Sequence, residues 1–79
     1  MSSLIETIEA VDVRVSDDAL IVTLKDGRAV SAPLKWFPRL QAATPVQRSK
    51  WEILGPGTTL HWEEIDEDIS VRWLLTGTD

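Results

Sequence analysis

His61 is the only histidine of the chain, and it opens the acidic run His61-Trp62-Glu63-Glu64-Ile65-Asp66-Glu67-Asp68. An imidazole among carboxylates is the material of acid–base catalysis or of a metal site. Either role needs a second party: a nucleophile, a base-orienting carboxylate or further ligands. Glu63 shares the strand face of His61 if the strand continues that far, so one carboxylate is near. The chain has no cysteine, and no serine sits in a Gly-x-Ser-x-Gly elbow. Clustered acids also suit hard cations, but Ile65 and Ile69 interrupt the spacing that an EF-hand loop needs, and no central glycine is present. Gly55-Pro56-Gly57-Thr58-Thr59 lacks the Lys-Ser/Thr ending of a phosphate loop and reads as a turn. The residues therefore predict no catalytic group, no metal, no cofactor and no enzyme.

Binding is better served by the residue types. Trp36, Trp51, Trp62 and Trp73 are large anchors, and from Gly27 to Trp51 the chain carries Arg28, Lys35, Arg39, Arg48 and Lys50 with no acid. From Glu52 to Asp79 the balance reverses, with seven acids against Arg72. Two solvated faces would satisfy this pattern. The alternative is a basic surface for an anionic ligand and an acidic one for a basic protein. In so small a domain at least two tryptophans must belong to the core. The expected partner surface is Trp36, Arg39, Arg48, Lys50 and Trp51, because aromatic and arginine side chains dominate interfaces.

The elements that position these residues follow from pattern. Seventy-nine residues form a single domain, 1–79, and 43% hydrophobic with 27% charged residues is a globular composition. Val11, Val13 and Val15 alternate with Asp12 and Arg14, which predicts a half-buried strand. Ser16-Asp17-Asp18 supplies a turn, and Leu20, Val22 and Leu24 give the inward face of a second strand. Asp26-Gly27 predicts a type I′ hairpin turn into a third strand, Arg28 to Leu34, that stops at Pro33. Pro38 opens a short helix near 38 to 43, and Thr44-Pro45 another over about 45 to 50. Strands follow at Trp51 to Leu54 and Thr58 to Trp62, the second with His61 opposite Trp62. Asp66, Glu67 and Asp68 suit the start of a last helix, with Ser70 as N-cap, Ile69 packing on Leu74, and Gly77 as the end. The order is β-β-β-α-β-β-α: an α+β domain, an antiparallel sheet with helices on one face.

Neither a basic start with an apolar run of roughly 7 to 15 residues nor a span of ~20 is present, which predicts a cytoplasmic protein with no membrane contact. Leu60-His61-Trp62, Ile65-Asp66-Glu67-Asp68-Ile69-Ser70-Val71 and Leu74-Leu75, together with Trp36-Phe37-Pro38-Arg39-Leu40, Arg48 and Trp51, resemble the bacterial domain-of-unknown-function family numbered 2442. The departure is Glu63, where that family more often carries proline. The resemblance implies a similar α+β fold and a small stand-alone protein. It also implies a neighbouring small protein as partner, in an arrangement similar to a toxin and antitoxin pair. It implies no DNA-reading element, since the helix-turn-helix extension of some relatives is lacking here. The expected function is thus a small protein-interaction or regulatory module that acts by binding. A nucleic-acid-associated accessory domain using the basic central segment is the alternative, and self-association stays open.

Overall fold

Apolar side chains at every second position of Ala19–Leu24 bury Leu20, Val22 and Leu24 completely, and the first half of the molecule is built on that strand. The computed structural model describes residues 9–76. Strands β1 (Ala10–Val15), β2 (Ala19–Leu24) and β3 (Ala29–Pro33) lead through a 3-10 turn (Leu34–Trp36) to helices α1 (Pro38–Ala42) and α2 (Pro45–Arg48). Strands β4 (Trp51–Leu54), β5 (Thr59–Trp62) and β6 (Glu67–Ser70) and helix α3 (Val71–Thr76) complete the order. The α+β class holds, and the expected order is kept with one strand, β6, added before the last helix and two sheets in place of one. The strands divide into two antiparallel three-stranded sheets, β1-β2-β3 and β4-β5-β6. No helix among the described residues is long and apolar enough to cross a membrane. The expected helix end at Gly77 and the amino-terminal run from Met1 to Glu6 lie outside the described residues.

Three local expectations change. The register of β1 against β2 shifts between Ala10 and Asp12, so Ala10 and Val13 face the core while Val11 is 52% exposed. The bulge inserts one residue and breaks the simple alternation. At the hairpin between β2 and β3 Gly27 has φ 96° while Asp26 is not left-handed. The Gly27 amide donates to Leu24 O, and the Leu24 amide donates to Arg28 O. That is a three-residue loop with one left-handed glycine, in place of the expected type I′ turn.

The third change is β6. Glu67 and Asp68 belong to a strand whose register is Trp62↔Glu67, His61↔Asp68 and Leu60↔Ile69. A four-residue loop, 63–66, reverses the chain, with Asp66 left-handed at φ 55°, a conformation Asp tolerates better than most residues. Ser70 still caps α3: its Oγ accepts from the Trp73 amide at 3.3 Å. Thr44 and Gln47 form a full capping box on α2.

One contiguous core joins both sheets, with Leu20, Leu34, Leu40, Leu60, Trp62 and Val71 among its fully buried side chains. Each fully buried Leu or Val stabilises by roughly 1.5–3 kcal/mol. An exposed ion pair contributes ~0–1 kcal/mol, so packing decides the fold. The tip of the β4–β5 hairpin reaches both the first sheet and the start of α3. Gly57 O accepts from the Ala10 amide at 2.8 Å, and Thr58 O accepts from the Val71 amide at 3.0 Å.

Gly57 has φ 103°, and a Cβ there would meet Ala10 N, Ala10 O and Glu9 Cβ at 2.9 Å, whereas a Cβ on Gly27 meets nothing within 4 Å. Gly57→Ala is therefore expected to lose about 2–4 kcal/mol in urea unfolding, and Gly27→Ala about 1 kcal/mol from backbone conformation alone. Equal losses would show that the hairpin tip is not pressed against β1.

Candidate functional site

Pairing across the second sheet makes a row out of residues that are far apart in sequence. Glu52 on β4 stands opposite His61 on β5, and His61 stands opposite Asp68 on β6. Because Leu60 and Trp62 point inward, the alternation of β5 turns His61 to the outer face. Its Nδ1 lies 2.5 Å from an Asp68 carboxylate oxygen. Ligand atoms of Glu52, His61 and Glu63 all lie within 4.8 Å of one another, which makes these three, among the described residues, a set able to hold a metal.

The hydrogen bond to Asp68 raises the His61 pKa above the ordinary 6.5; partial burial opposes the shift, and the charges of Asp68, Glu52 and Glu63 reinforce it. Since the folded value is the higher one, the stability contributed by this pair is fully present below pH 6.5. It is lost as the pH rises through the folded-state titration.

Beside the row, and sharing Asp68 with it, lies an open groove of about 290 Å3 lined by Trp36, Phe37, Asp68, Ile69, Ser70 and Trp73. The Trp73 ring packs edge-to-face with two neighbours, Trp36 at 5.7 Å and 78° and Phe37 at 5.8 Å and 70°. Edge-to-face contacts of this kind hold aromatic walls in place. Trp36 itself remains 45% exposed. Small-molecule pockets run from roughly 300 to 1,000 Å3, so this groove stands at the small end of that range and has room for a large side chain.

The five residues expected to bind a partner are dispersed among different tasks. Arg48 is structural: its side chain is 13% exposed, Nε donates to Leu40 O at 3.1 Å, and Nη2 donates to Gln41 O at 2.8 Å. Trp51 is half-buried and packs on the core. Arg39 is exposed, donates to Asp66 O through Nη1 and lies 3.7 Å from the Asp66 carboxylate. Lys50 pairs with Glu64 at 3.0 Å, which holds the Glu64 carboxyl below its usual range. Trp36 is the member of the set that lines the groove.

Four of the five central cations thus have a carboxylate within 4 Å: Arg28 with Asp26, Arg39 with Asp66, Arg48 with Asp17 and Lys50 with Glu64. Two of these pairs, Arg39 with Asp66 and Lys50 with Glu64, join the basic block to the acidic one; the other two use acids that precede the basic block in sequence. Pattern reading passed over Glu52, Asp68, Ser70 and Trp73 as site residues. Counting back from the Gly55-Pro56-Gly57 turn would have placed Glu52 opposite His61; Asp68 was out of reach once its segment had been read as helix.

Two measurements check this geometry. By NMR, the single histidine is expected to titrate with a midpoint above 6.5, lowered in Asp68→Asn; a midpoint at or below 6.5 would mean that the pair does not form in solution. In urea unfolding, Arg48→Ala is expected to cost about 1–3 kcal/mol, because two helix-end carbonyls lose a charged donor. Arg39→Ala should stay within about 0.5 kcal/mol. Similar losses for the two would contradict the structural role of Arg48.

The sequence matches the model of the family described as "Protein of unknown function (DUF2442)" over residues 10–78. No match is found among curated proteins. Among solved structures, a crystal structure of a protein of unknown function from Rhodospirillum rubrum ATCC 11170 is similar with a TM-score of 0.77. The two share 33% identity over 90% of this chain and 88% of that one. With the family match spanning nearly all described residues, the chain belongs to the DUF2442 family.

Proposed function

We propose that the protein is a small cytoplasmic protein-interaction module that acts by binding, and that the groove lined by Trp36, Phe37 and Trp73 receives an apolar side chain of its partner. The observation that carries this reading is a tryptophan left 45% exposed on a groove that two further aromatic rings, Phe37 and Trp73, also line. A large aromatic surface kept in water is costly unless something covers it, and tryptophans in such positions are the anchors of interfaces. The rim gives the partner its sign: Asp68 lines the groove, and Glu52 and Glu63 lie close by around His61. A partner segment with an apolar residue flanked by Lys or Arg complements this surface. The setting proposed for it is a pair of small neighbouring genes with toxin and antitoxin-like regulation, which follows from the family resemblance alone.

Support for the nucleic-acid reading falls with the pairing of the central cations, because phosphate binding needs cations free to replace counterions. Affinity capture of the tagged protein from its own cells, with nuclease, is expected to retain one small protein in stoichiometric amount. Trp36→Ala is expected to reduce that capture at least tenfold, while Lys35→Ala, one residue away and outside the groove, leaves it unchanged. Capture insensitive to Trp36→Ala would exclude the groove, and nucleic acid held only at low salt would replace the protein partner.

A further inference from the structure

The row on the outer face of the second sheet carries an inference of its own, on residues that also give the groove its acidic rim. The geometry points to a binding site for a divalent transition-metal cation at Glu52, His61 and Glu63, with Asp68 as the residue that orients the histidine.

Four features support it. First, two of the three ligand positions are set by sheet register, since Glu52 is the cross-strand neighbour of His61, and Glu63 is the first residue of the loop that follows β5, one place beyond Trp62. Second, the ligand atoms of these three residues lie within 4.8 Å of one another. Ligands around a tetrahedral ion at about 2.0–2.2 Å stand roughly 3.4 Å apart, so closure needs carboxylate movements of about 1.4 Å at most. Glu52 and Glu63 are exposed and can make that movement by side-chain rotation.

Third, Asp68 takes the Nδ1 side of the ring at 2.5 Å. With the proton on Nδ1, the lone pair resides on Nε2, the arrangement in which a carboxylate behind a metal-bound histidine fixes its tautomer and raises its basicity. Fourth, the donor set is one imidazole and two carboxylates with no thiolate. That set suits Zn2+ and its first-row neighbours; Ca2+ and Mg2+ prefer oxygen alone. Three protein ligands leave the fourth position to water.

The proton competes with the metal for His61, and Asp68, Glu52 and Glu63 all favour the protonated ring. Zinc affinity therefore rises with pH through the histidine titration.

The test is titration of ZnCl2 into the full chain, free of any polyhistidine tag, followed by calorimetry at pH 7.5 and by the NMR signals of the one histidine ring. Saturable binding of one Zn2+ per chain is expected, with a shift of the His61 resonances. His61→Ala should abolish it. Glu63→Gln, in the exposed loop between β5 and β6, provides a second ligand variant should His61→Ala fold poorly, and it should weaken binding at least tenfold. Asp68→Asn should weaken it about 10- to 100-fold, whereas Glu64→Gln, an acid outside the row that pairs with Lys50, should leave it unchanged. Trp36→Ala should also leave zinc affinity unchanged, so failure of the groove and failure of this site are separable. Absence of saturable binding, or binding that survives His61→Ala, overturns the site. Ca2+ bound as tightly as Zn2+ would also overturn it, reducing the row to a diffusely acidic face.

Discussion

The indole of Trp62 is wholly buried, and a buried N–H must find an acceptor or lose the free energy of its solvation. Its Nε1 donates to the main-chain carbonyl of Arg48 at 3.0 Å. The side chain of the same arginine reaches in the other direction, its fork held by the carbonyls of Leu40 and Gln41. These belong to the last turn of α1, where helix carbonyls have no partner within the helix. One residue thereby joins both short helices to the centre of the second sheet. Helices of five and four residues are too short to persist in water alone. They stand because this junction and the capping box of Thr44 hold their ends while Leu40 is buried beneath. In a domain without disulfides, such a polar tie takes the place of a covalent one.

Much of this architecture was legible in the sequence, wherever one residue type had one structural use. The alternation Leu20, Val22, Leu24 could only be a half-buried strand, the Thr44-Pro45 pair marked a helix start, and Ser70 marked another. Legibility failed where the decisive partner was distant. Glu67 and Asp68 have low strand propensity and lie where a helix dipole would welcome them. They form β6 because Ile69 can be buried opposite Leu60 only if its neighbours extend. Val11 was misplaced by a bulge, which local pattern does not mark. Arg48 looked like a surface anchor because its type suggests one; its carbonyl partners eight and seven residues away put it to structural use.

The site shows the same division. His61 stood out as a lone histidine, and Glu63 was near it by simple alternation. The row became visible only with the strand register that adds Glu52 on one side and Asp68 on the other. The groove is a product of tertiary packing: Trp36 enters from the 3-10 turn after the first sheet, Trp73 from the last helix, and Asp68 and Ile69 from the edge of the second sheet. Family membership accounts for the fold, and the Rhodospirillum rubrum protein shares it, but fold and activity are separate properties.

The position of β6 also bears on colloidal behaviour. A strand at the margin of an open sheet offers unpaired amides and carbonyls on which another chain can grow. Here that margin is four residues long and carries Glu67 and Asp68, with Asp66 at its entry. A second copy pairing parallel and in register along it would bring Glu67 against Glu67 and Asp68 against Asp68 across the new seam, and like charges directly opposite destabilise a ladder. The acids that look like ornament on a helix start are thus a barrier to cross-β growth, placed on the one margin of the second sheet that its own chain leaves last.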